Sequence, residues 1–343
     1  MHSKMDKKMI FIVGNSRSGT TMMGRIMGLN KRVFTFNELH FFEELWSPKS
    51  DKNILSRTRA IRLTGKLITI QRDGYLLQKD PKFYFDEAKK IVKNLKKKKD
   101  RIWAIDIYKE FLIYETKKNG KQISCEQTPR NVFYIREILN LLPEAKFINM
   151  IRCPGDVLLS QKNKWKRHFL GAKQIPLREA FRSWVNYHPI TISKLWNASI
   201  KASELFKKDK NLILVRFEEF IEKPVDKVSE ICKRIGVQFE MNMLNIPQVG
   251  SSLEPDHPDK RGINKERTGI WQKGGLNSTE IYLMQKITWR QIKMYGYETI
   301  KVFPNPFLLA YYLLSFILKL GFAFILNLNR MRSIKDALKR RLN

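Results

Sequence analysis

The chain reads Met9-Ile10-Phe11-Ile12-Val13-Gly14-Asn15-Ser16-Arg17-Ser18-Gly19-Thr20-Thr21, and this stretch decides the fold. An apolar run of strand length enters a loop bounded by two glycines, and residues 22–29 continue with helical character. A loop placed between a strand and a helix points backbone N–H groups and a helix N-terminus at an anion. The stretch therefore predicts a phosphate-binding loop rather than a turn without a ligand.

The loop differs from the loop of nucleoside triphosphatases, which reads G-x-x-x-x-G-K-[ST]. The glycines and the hydroxyl of Thr21 are in register, but Thr20 stands at the lysine position and the cation is Arg17, inside the loop. A γ-phosphoryl group carries about two negative charges and is handled with a lysine and Mg²⁺. A sulfuryl group carries a single charge and needs fewer cations. The sequence therefore indicates phosphate binding and fits ATP hydrolysis poorly.

The loop resembles the 5′-phosphate loop of the sulfotransferase family, in the branch that contains Golgi, bacterial and tyrosylprotein enzymes. The sulfuryl donor of that family is 3′-phosphoadenosine 5′-phosphosulfate (PAPS). The resemblance implies that PAPS is the co-substrate here and that the donor is bound by the loop residues Asn15, Ser16, Arg17, Ser18, Gly19, Thr20 and Thr21.

A second anion site is predicted downstream. Residues 145–151 form a buried-strand pattern that ends at Arg152-Cys153-Pro154, and Ser160 follows about two helical turns later. Ligands collect at the carboxyl ends of parallel strands. In the family that the chain resembles, this arrangement binds the 3′-phosphate of the donor, which assigns that role to Arg152 and Ser160.

Two later segments extend the resemblance to about residue 298. Residues 212–224 are similar to a strand and an Arg-Tyr-Glu-Asp-Leu…Pro element with a mainly structural role, here with Phe217 in place of tyrosine. Residues 265–273 resemble the loop that closes over the donor. The implied donor contacts in that loop are Arg267, Thr268, Gly269, Trp271 and Lys273.

The acceptor oxygen must lose a proton as it attacks sulfur, so a general base is expected nearby. In the tyrosylprotein and bacterial branches a glutamate follows the loop arginine at the distance at which Glu38 follows Arg17. The cytosolic branch uses a histidine, for which His40 is the early candidate. The predicted catalytic residues are therefore Glu38, His40 and Arg17. If the segment is a strand, Glu38 and His40 share one face.

One position departs from the family pattern. Residues 124–131 resemble a segment that usually carries a lysine before Thr-Pro, where the lysine supports charge on the bridging oxygen, but this chain has Gln127. Arg130 and Arg17 are the candidates for the missing charge.

The order of the segments predicts an α/β fold with a P-loop-type parallel sheet flanked by helices. The predicted strands are the apolar runs at 9–13, 102–107, 123–126, 147–151 and 212–216. Because motifs that must meet on one donor run from residue 14 to 273, we expect one sulfotransferase domain over residues 1–300. Segment 50–100 is basic and mostly helical in pattern, and is interpreted as a cap or insertion that shapes the acceptor pocket.

Residues 307–326 form an apolar stretch about long enough to span a bilayer core. A lysine in mid-span, Lys319, is costly, and the basic cluster from Arg330 to Arg341 would prefer the cytoplasmic side. Ser315, Lys319 and Asn327 also share one stripe with Ala323. We therefore expect residues 301–343 to carry a monotopic helix or shallow hairpin in the cytoplasmic leaflet. A core or dimer helix is the alternative.

The formal net charge of +32 requires anionic partners. The donor accounts for part of it, and an anionic membrane surface is the favoured second partner. Nucleic acid is not a favoured partner, since no nucleic-acid recognition motif is evident in the sequence. Three cysteines without metal-like spacing fit a reducing compartment, and no metal cofactor is expected. The absence of a signal-peptide pattern predicts a cytoplasmic, prokaryotic-type enzyme, peripheral on the membrane. The oligomeric state stays open.

The sequence thus predicts metal-free, in-line sulfuryl transfer from PAPS to an acceptor hydroxyl, with a sterol, a steroid or a lipid as the acceptor. The alternative is a P-loop small-molecule or lipid kinase that uses ATP and Mg²⁺, which would need Asp106 as a metal ligand and lacks the lysine at Thr20. A non-catalytic basic membrane protein would leave both anion motifs unexplained.

Overall fold

The computed structural model describes residues 8–48, 53–76, 80–330 and 333–342. A five-stranded, fully parallel sheet has the spatial order β2-β3-β1-β4-β5. Its strands are β1 (Met9–Gly14), β2 (Val33–Thr35), β3 (Ile123–Glu126), β4 (Lys146–Ile151) and β5 (Leu212–Arg216). Because β1 is the central strand, the loop that follows it lies at the middle of the carboxyl edge, where parallel sheets bind ligands.

Helices cover both faces of this sheet, as expected for parallel strands that are buried on both sides. Along β1, Phe11 and Val13 face one apolar core, and Ile10 and Ile12 face the other. The helices are α1 (Thr20–Gly28), α2 (Arg57–Asp73), α3 (Phe85–Lys96), α4 (Ala104–Lys118), α5 (Ile135–Leu141), α6 (Pro154–Lys162), α7 (Leu177–Asn186), α8 (Pro189–Glu204), α9 (Phe217–Glu222), α10 (Pro224–Ile235), α11 (Ser278–Met294), α12 (Pro306–Asn327) and α13 (Ile334–Leu342). A short antiparallel pair, β6 (Pro247–Gln248) and β7 (His257–Arg261), lies outside the main sheet.

The predicted fold class is confirmed, but the strand predicted at residues 102–107 is wrong. That run begins α4, because the Asp106 carboxylate accepts the N–H of Trp103 at 3.0 Å and caps the helix. Asp106 also pairs with Lys99 at 2.6 Å. The run is apolar apart from Asp106 because Ile102, Ile105 and Ile107 are buried in a core. A short apolar run does not by itself distinguish a buried strand from a buried helix.

One strand of the sheet was left unpredicted by the sequence analysis. The edge strand β2 was not predicted, since three residues give too short a pattern. Segment 50–100 is helical as expected, through α2 and α3, although residues 50–52 and 77–79 lie outside the described residues.

The apolar C-terminal helix α12 lies against α7 and α8 through its polar stripe. Asn327 Nδ2 donates to Asn186 Oδ1 at 2.9 Å, and Lys319 Nζ donates to the carbonyl of Tyr187 at 3.4 Å. Ala323 between them is buried. The outward side is apolar and open, with Phe307 86% and Leu314 78% exposed. By length and composition α12 is the one helix within the described residues that is apolar enough to cross a membrane.

The basic cluster after α12 folds back onto the domain rather than extending away from it. Arg330 forms two hydrogen bonds to the Glu179 carboxylate, at 2.8 and 2.9 Å, and α13 packs on α8. Arg340 lies over the rings of Phe133 and Tyr134. Residues 331–332 of the cluster, including Arg332, lie outside the described residues.

The first turn of α6 packs against a tryptophan from the segment that follows β7. A Cβ added at Gly155 would lie 2.4 Å from Cδ2 of the buried Trp271 ring. We predict that Gly155→Ala lowers the free energy of unfolding by about 1–3 kcal/mol through overpacking. Gly321→Ala, in α12 with open space around it, is the matched control and should be neutral or stabilising by up to about 1 kcal/mol. Chemical denaturation measures both, and equal stability of the two variants would contradict the packing.

Candidate active site

A cavity of about 640 Å³ opens at the carboxyl edge of the sheet. The loop after β1 forms its floor, the start of α6 one wall, and α7 and α12 the opposite end. The residues predicted from sequence that line it are Asn15, Ser16, Arg17, Gly19, Thr20, Thr21, Glu38, His40, Arg152, Ser160 and Arg267. Motifs that are far apart in the chain therefore meet in one space.

The loop has the backbone geometry of an anion cradle. Gly14 has φ of +143°, and a Cβ there would lie 2.3 Å from the carbonyl oxygen of Met150. Gly19 has φ of +93° at the start of α1, and a Cβ there would lie 2.6 Å from the Phe217 ring. Only glycine fits both positions. The loop consequently brings the free N–H groups at the N-terminus of α1 to the cavity.

Arg17 connects the two predicted anion sites. Its Nε donates to Ser160 Oγ at 2.9 Å, and its Nη2 donates to the carbonyl of Gly250 and to Ser252 Oγ, both at 2.8 Å. The residue has a left-handed backbone, with φ of 74°. This conformation, uncommon outside glycine, turns the side chain from the loop toward α6.

Arg152 stands at the end of β4, as predicted, and is held on several sides. Its guanidinium lies 4.5 Å from the centre of the Phe217 ring and 3.6 Å from Asp156. It also donates to the carbonyl of Arg17, at 3.3 Å, and to the carbonyl of Arg267. Arg152 and Ser160 therefore both contact Arg17, as expected if the two anion sites serve one ligand.

The cavity holds more cations than local carboxylates can neutralise. Burial, followed by repulsion from Arg167 and Arg152, lowers the pKa of Arg17 to about 9. Burial and the charge of Arg17 lower the pKa of Lys164 to about 8. The pKa of Arg267 is also lowered, by burial first. Such crowding of like charges is relieved when an anion binds.

Several buried donors at this cavity lack a partner within the described residues. They are the Nε atoms of Arg152, Arg167 and Arg267. Ser18 Oγ is also buried and unsatisfied, but Ser18, a predicted loop contact, does not line the cavity. Buried polar atoms are normally hydrogen-bonded, so unsatisfied donors indicate a ligand with many acceptor oxygens. The residues present therefore fit an anionic ligand.

The 265–273 segment contributes less to the cavity than the resemblance implied. Asp156 accepts the N–H groups of Gly269, at 3.0 Å, and Trp271, at 3.2 Å, which holds the segment on α6. Of the predicted contacts, Arg267 lines the cavity, whereas Thr268, Gly269, Trp271 and Lys273 do not. Trp271 is buried behind the cavity wall.

Glu38 and His40 follow β2 in an extended segment that does not itself belong to a strand. His40 Nε2 lies 3.5 Å from Glu38 Oε2, and His40 Nδ1 lies 3.3 Å from Glu43 Oε2. The two side chains meet because His40 turns back through a left-handed conformation, with φ of 51°. Buried Glu126 fixes the segment, since it accepts the N–H of Leu39 at 3.2 Å.

The charges of this pair follow from its neighbours. Burial alone would lower the pKa of His40, but hydrogen bonds to Glu38 and Glu43 raise it to about 10. Burial alone would raise the pKa of Glu38, but His40, Lys164 and Arg130 outweigh it and hold that pKa below its usual value. At neutral pH, Glu38 is a carboxylate and His40 a cation. The geometry therefore favours Glu38 over His40 as a proton acceptor.

Gln127 lies outside the cavity. Its buried side chain lies against α1, where a Cβ on Gly24 would be 2.1 Å from Gln127 Oε1. Arg130 lines the cavity but forms an ion pair with Glu43. Gln127 is neutral and the charge of Arg130 is paired with Glu43, so neither residue supplies an unpaired positive charge to the cavity.

Lys164 is the functional candidate that the sequence interpretation missed. It lines the cavity beside Arg17, Glu38 and Arg130, and no ion pair or hydrogen bond ties its ammonium to another described residue. A sequence signal existed, because Ser160, Lys164 and Arg167 are spaced four and then three residues apart, on one helical face.

Asp106 does not lie where the kinase alternative requires it. Asp106, the metal ligand that a kinase would need, caps α4, pairs with Lys99 and is not among the cavity-lining residues. His40, Glu43 and Glu44 place ligand atoms within 4.8 Å of one another. Glu43 is already paired with Arg130, however, and Glu44 accepts the hydroxyl of Tyr75.

A solved sulfotransferase domain shares this fold, and two further structures are less similar. The sulfotransferase domain of the Synechococcus PCC 7002 olefin synthase is 18% identical with a TM-score of 0.51, over 88% of this chain and 98% of that one. The sulfotransferase domain from the curacin biosynthetic pathway is 18% identical with a TM-score of 0.49, over 87% and 100%. A retinol dehydratase solved with androsterone and the inactive cofactor PAP is 13% identical with a TM-score of 0.40, over 88% and 84%. At these identities the likeness concerns the fold alone.

No curated protein has a significant sequence match to the chain. The sequence model of the sulfotransferase family, in contrast, matches residues 9–241, more than half of the chain. The matched region contains the five-stranded sheet, the loop after β1, Glu38 and the pair formed by Arg152 and Ser160. The chain belongs to the sulfotransferase family.

Proposed function

We propose that this sulfotransferase moves the sulfuryl group of PAPS in line to the hydroxyl of a lipophilic alcohol, with Glu38 as general base and without a metal. The observation that carries the proposal is the meeting of Arg17, Ser160 and Glu38 in one cavity, with Arg17 bonded to Ser160 at 2.9 Å. It supports placing a donor phosphate on the loop after β1, with the acceptor beside Glu38.

The donor is assigned to the basic half of the cavity. The N–H groups at the start of α1 suit the 5′-phosphate, because a helix N-terminus stabilises an anion. Arg152 and Ser160 suit the 3′-phosphate, and Arg267 flanks it. The unsatisfied donors of Arg152 and Arg267, which line the cavity, support this assignment.

The sulfuryl group is transferred in a single displacement step. An acceptor oxygen forms a bond to sulfur while the bond between sulfur and the bridging oxygen of the 5′-phosphate breaks, releasing 3′,5′-diphosphoadenosine (PAP). The acceptor proton passes to the carboxylate of Glu38. Cationic His40 holds Glu38 at 3.5 Å and keeps it ionised before the acceptor arrives.

Lys164 is proposed to supply the charge that Gln127 does not. Its ammonium lies in the cavity near Arg17 and Glu38, where the sulfuryl oxygens would pass between donor and acceptor. A preorganised cation in a water-poor site stabilises developing negative charge more than it would in water.

The acceptor is proposed to be lipophilic because α12 presents an exposed apolar face beside the cavity. The helix contributes Lys319, Leu320 and Asn327 to the cavity lining, while Phe307 and Leu314 point outward. A monotopic helix of this kind would place the enzyme on the cytoplasmic surface of an anionic membrane, where a lipid alcohol is concentrated.

Removal of the Arg152 side chain tests whether this residue binds the 3′-phosphate of the donor. Arg152→Ala should weaken PAPS binding by about 1.5–3 kcal/mol, the loss of one charged hydrogen bond. Adenosine 5′-phosphosulfate, which lacks the 3′-phosphate, should bind weakly to the wild type and be affected little by the substitution. Calorimetry measures all four affinities. Equal wild-type affinity for the two nucleotides would refute the assignment of Arg152 and Ser160.

Replacement of the base should separate chemistry from donor binding. Glu38→Gln should lower kcat by about 10²- to 10⁴-fold and leave the Kd of PAP unchanged. Because the pKa of Glu38 is lowered, the wild-type rate should fall on the acid side only below the usual glutamate value of about 4.3. If Glu38→Gln kept near wild-type turnover while His40→Ala was inactive, His40 would be the base instead.

Lys164→Met should act on turnover but not on the product nucleotide. We expect kcat to fall by about 10²- to 10³-fold, as for loss of one oxyanion-stabilising donor. PAP lacks the sulfuryl group, so its Kd should stay unchanged. Lys166→Met, an exposed lysine two residues further along, is the matched control and should be neutral. A loss of PAP affinity as large as the loss of turnover would make Lys164 a nucleotide ligand.

A further inference from the structure

The wall of the cavity farthest from the donor is also an exposed apolar surface. On α12, Leu320 and Asn327 line the cavity, whereas Leu314, Ile317 and Leu318 are exposed. A helix with its side chains is about 10–12 Å across. The cavity is therefore separated from the outer apolar surface by the thickness of one helix.

Helix α7 repeats this two-sided arrangement. Its cavity side carries Arg182 and Asn186, while Leu177, Phe181 and Trp184 are 60%, 57% and 52% exposed. The three apolar residues follow the i, i+4, i+7 spacing of one helical face. A soluble surface helix would present polar residues there, so the pattern requires an apolar partner.

The outer faces of α7 and α12 are contiguous. Phe181 stacks on Trp184 with ring centres 6.1 Å apart, and Lys319 Nζ of α12 lies 5.1 Å from the centre of the Trp184 ring. Asn327 and Asn186 join the far ends of the two helices at 2.9 Å. The exposed side chains of both helices therefore form one surface, which we call the two-helix face, consisting of Leu177, Phe181, Trp184 and the exposed apolar residues of α12.

Exposed cations lie on α7 and on α13, which contacts α12 where Arg341 lies over the Phe324 ring. Arg178 on α7 is exposed, as are Lys335 and Lys339 on α13. Cations beside an apolar helix surface favour an anionic bilayer, since each contributes attraction to the lipid headgroups. A second copy of this chain, with its formal net charge of +32, would bring like charges together at the same surface.

The interior between the two helices selects for a headgroup rather than a bare apolar alcohol. Four cations line this end of the cavity; they are Arg182, Lys319, Arg330 and Arg341. Glu179 pairs with Arg182 and Arg330, whereas Lys319 and Arg341 have no carboxylate partner among the described residues. Burial, then the charges of Arg130 and Arg340, lowers the pKa of Arg341 to about 10. A sterol would leave Lys319 and Arg341 facing apolar surface, which is costly, whereas a phosphate-bearing headgroup would pair with them.

We propose that the two-helix face binds an anionic bilayer, and that the acceptor is a membrane lipid whose anionic, hydroxyl-bearing headgroup enters the cavity between α7 and α12. The proposal rests on the function proposed above and narrows its acceptor class. Lys319 and Arg341 would hold the phosphate, and a free hydroxyl of the headgroup would reach Glu38.

The membrane part is tested by flotation of the full-length protein with vesicles of phosphatidylcholine and phosphatidylglycerol in equal parts. Leu177→Ser/Phe181→Ser should lower vesicle affinity by about tenfold or more, because both side chains lose a burial site. Leu205→Ser/Met241→Ser removes two equally exposed apolar side chains on other elements and should float like the wild type. Wild-type flotation of the α7 variant would exclude α7 from the membrane contact. A wild type that is dimeric by light scattering and does not float would make the face a dimer interface.

The acceptor part is tested by mass spectrometry of lipids after incubation with PAPS and either phosphatidylglycerol or cholesterol in phosphatidylcholine vesicles. We expect sulfated phosphatidylglycerol, and a several-fold higher KM for that lipid in Lys319→Gln with the Kd of PAP unchanged. Sulfated cholesterol as the main product, or no lipid product from a protein that binds PAP, would overturn the headgroup inference alone. Failure to bind PAP at all would instead overturn the proposed function.

Discussion

The hydrogen bond between Arg17 and Ser160 is the contact on which the site depends. It joins the loop of the central strand to the helix that follows the neighbouring strand. The same guanidinium also holds Gly250 and Ser252 of the segment between β6 and β7. The sheet order places β1 beside β4, and the left-handed backbone of Arg17 turns its side chain across the gap. This single residue brings the two predicted anion sites together.

The same arrangement concentrates positive charge at a cost in the absence of ligand. Arg17, Lys164 and Arg267 all have lowered pKa values because they are buried among other cations. The cavity is thus poised for an anion, and Glu38 lies within this field as a carboxylate held by His40. Charge arranged in this way favours both the binding of a polyanionic donor and the ionised state of the base.

Local patterns predicted the fold well where they were long or chemically specific. Three features were predicted because each depends on spacing within one element. They are the loop after β1, Arg152 at the end of β4 and the polar stripe of α12. The run at 102–107 was misread, since its helix is set by the Asp106 cap rather than by periodicity. Lys164 was missed although its spacing from Ser160 is visible in the sequence. The burial of Trp271 depends on a contact between distant segments, which one sequence does not show.

The central claim is that the cavity reads a nucleotide with phosphates at both the 3′ and 5′ positions. The most direct test is the melting temperature of the full-length protein with PAP, with ATP and Mg²⁺, and without ligand. Because a ligand that binds only the native state stabilises it, PAP should raise the melting temperature and ATP with Mg²⁺ should not. A shift with ATP and Mg²⁺ equal to or larger than the shift with PAP would contradict the account.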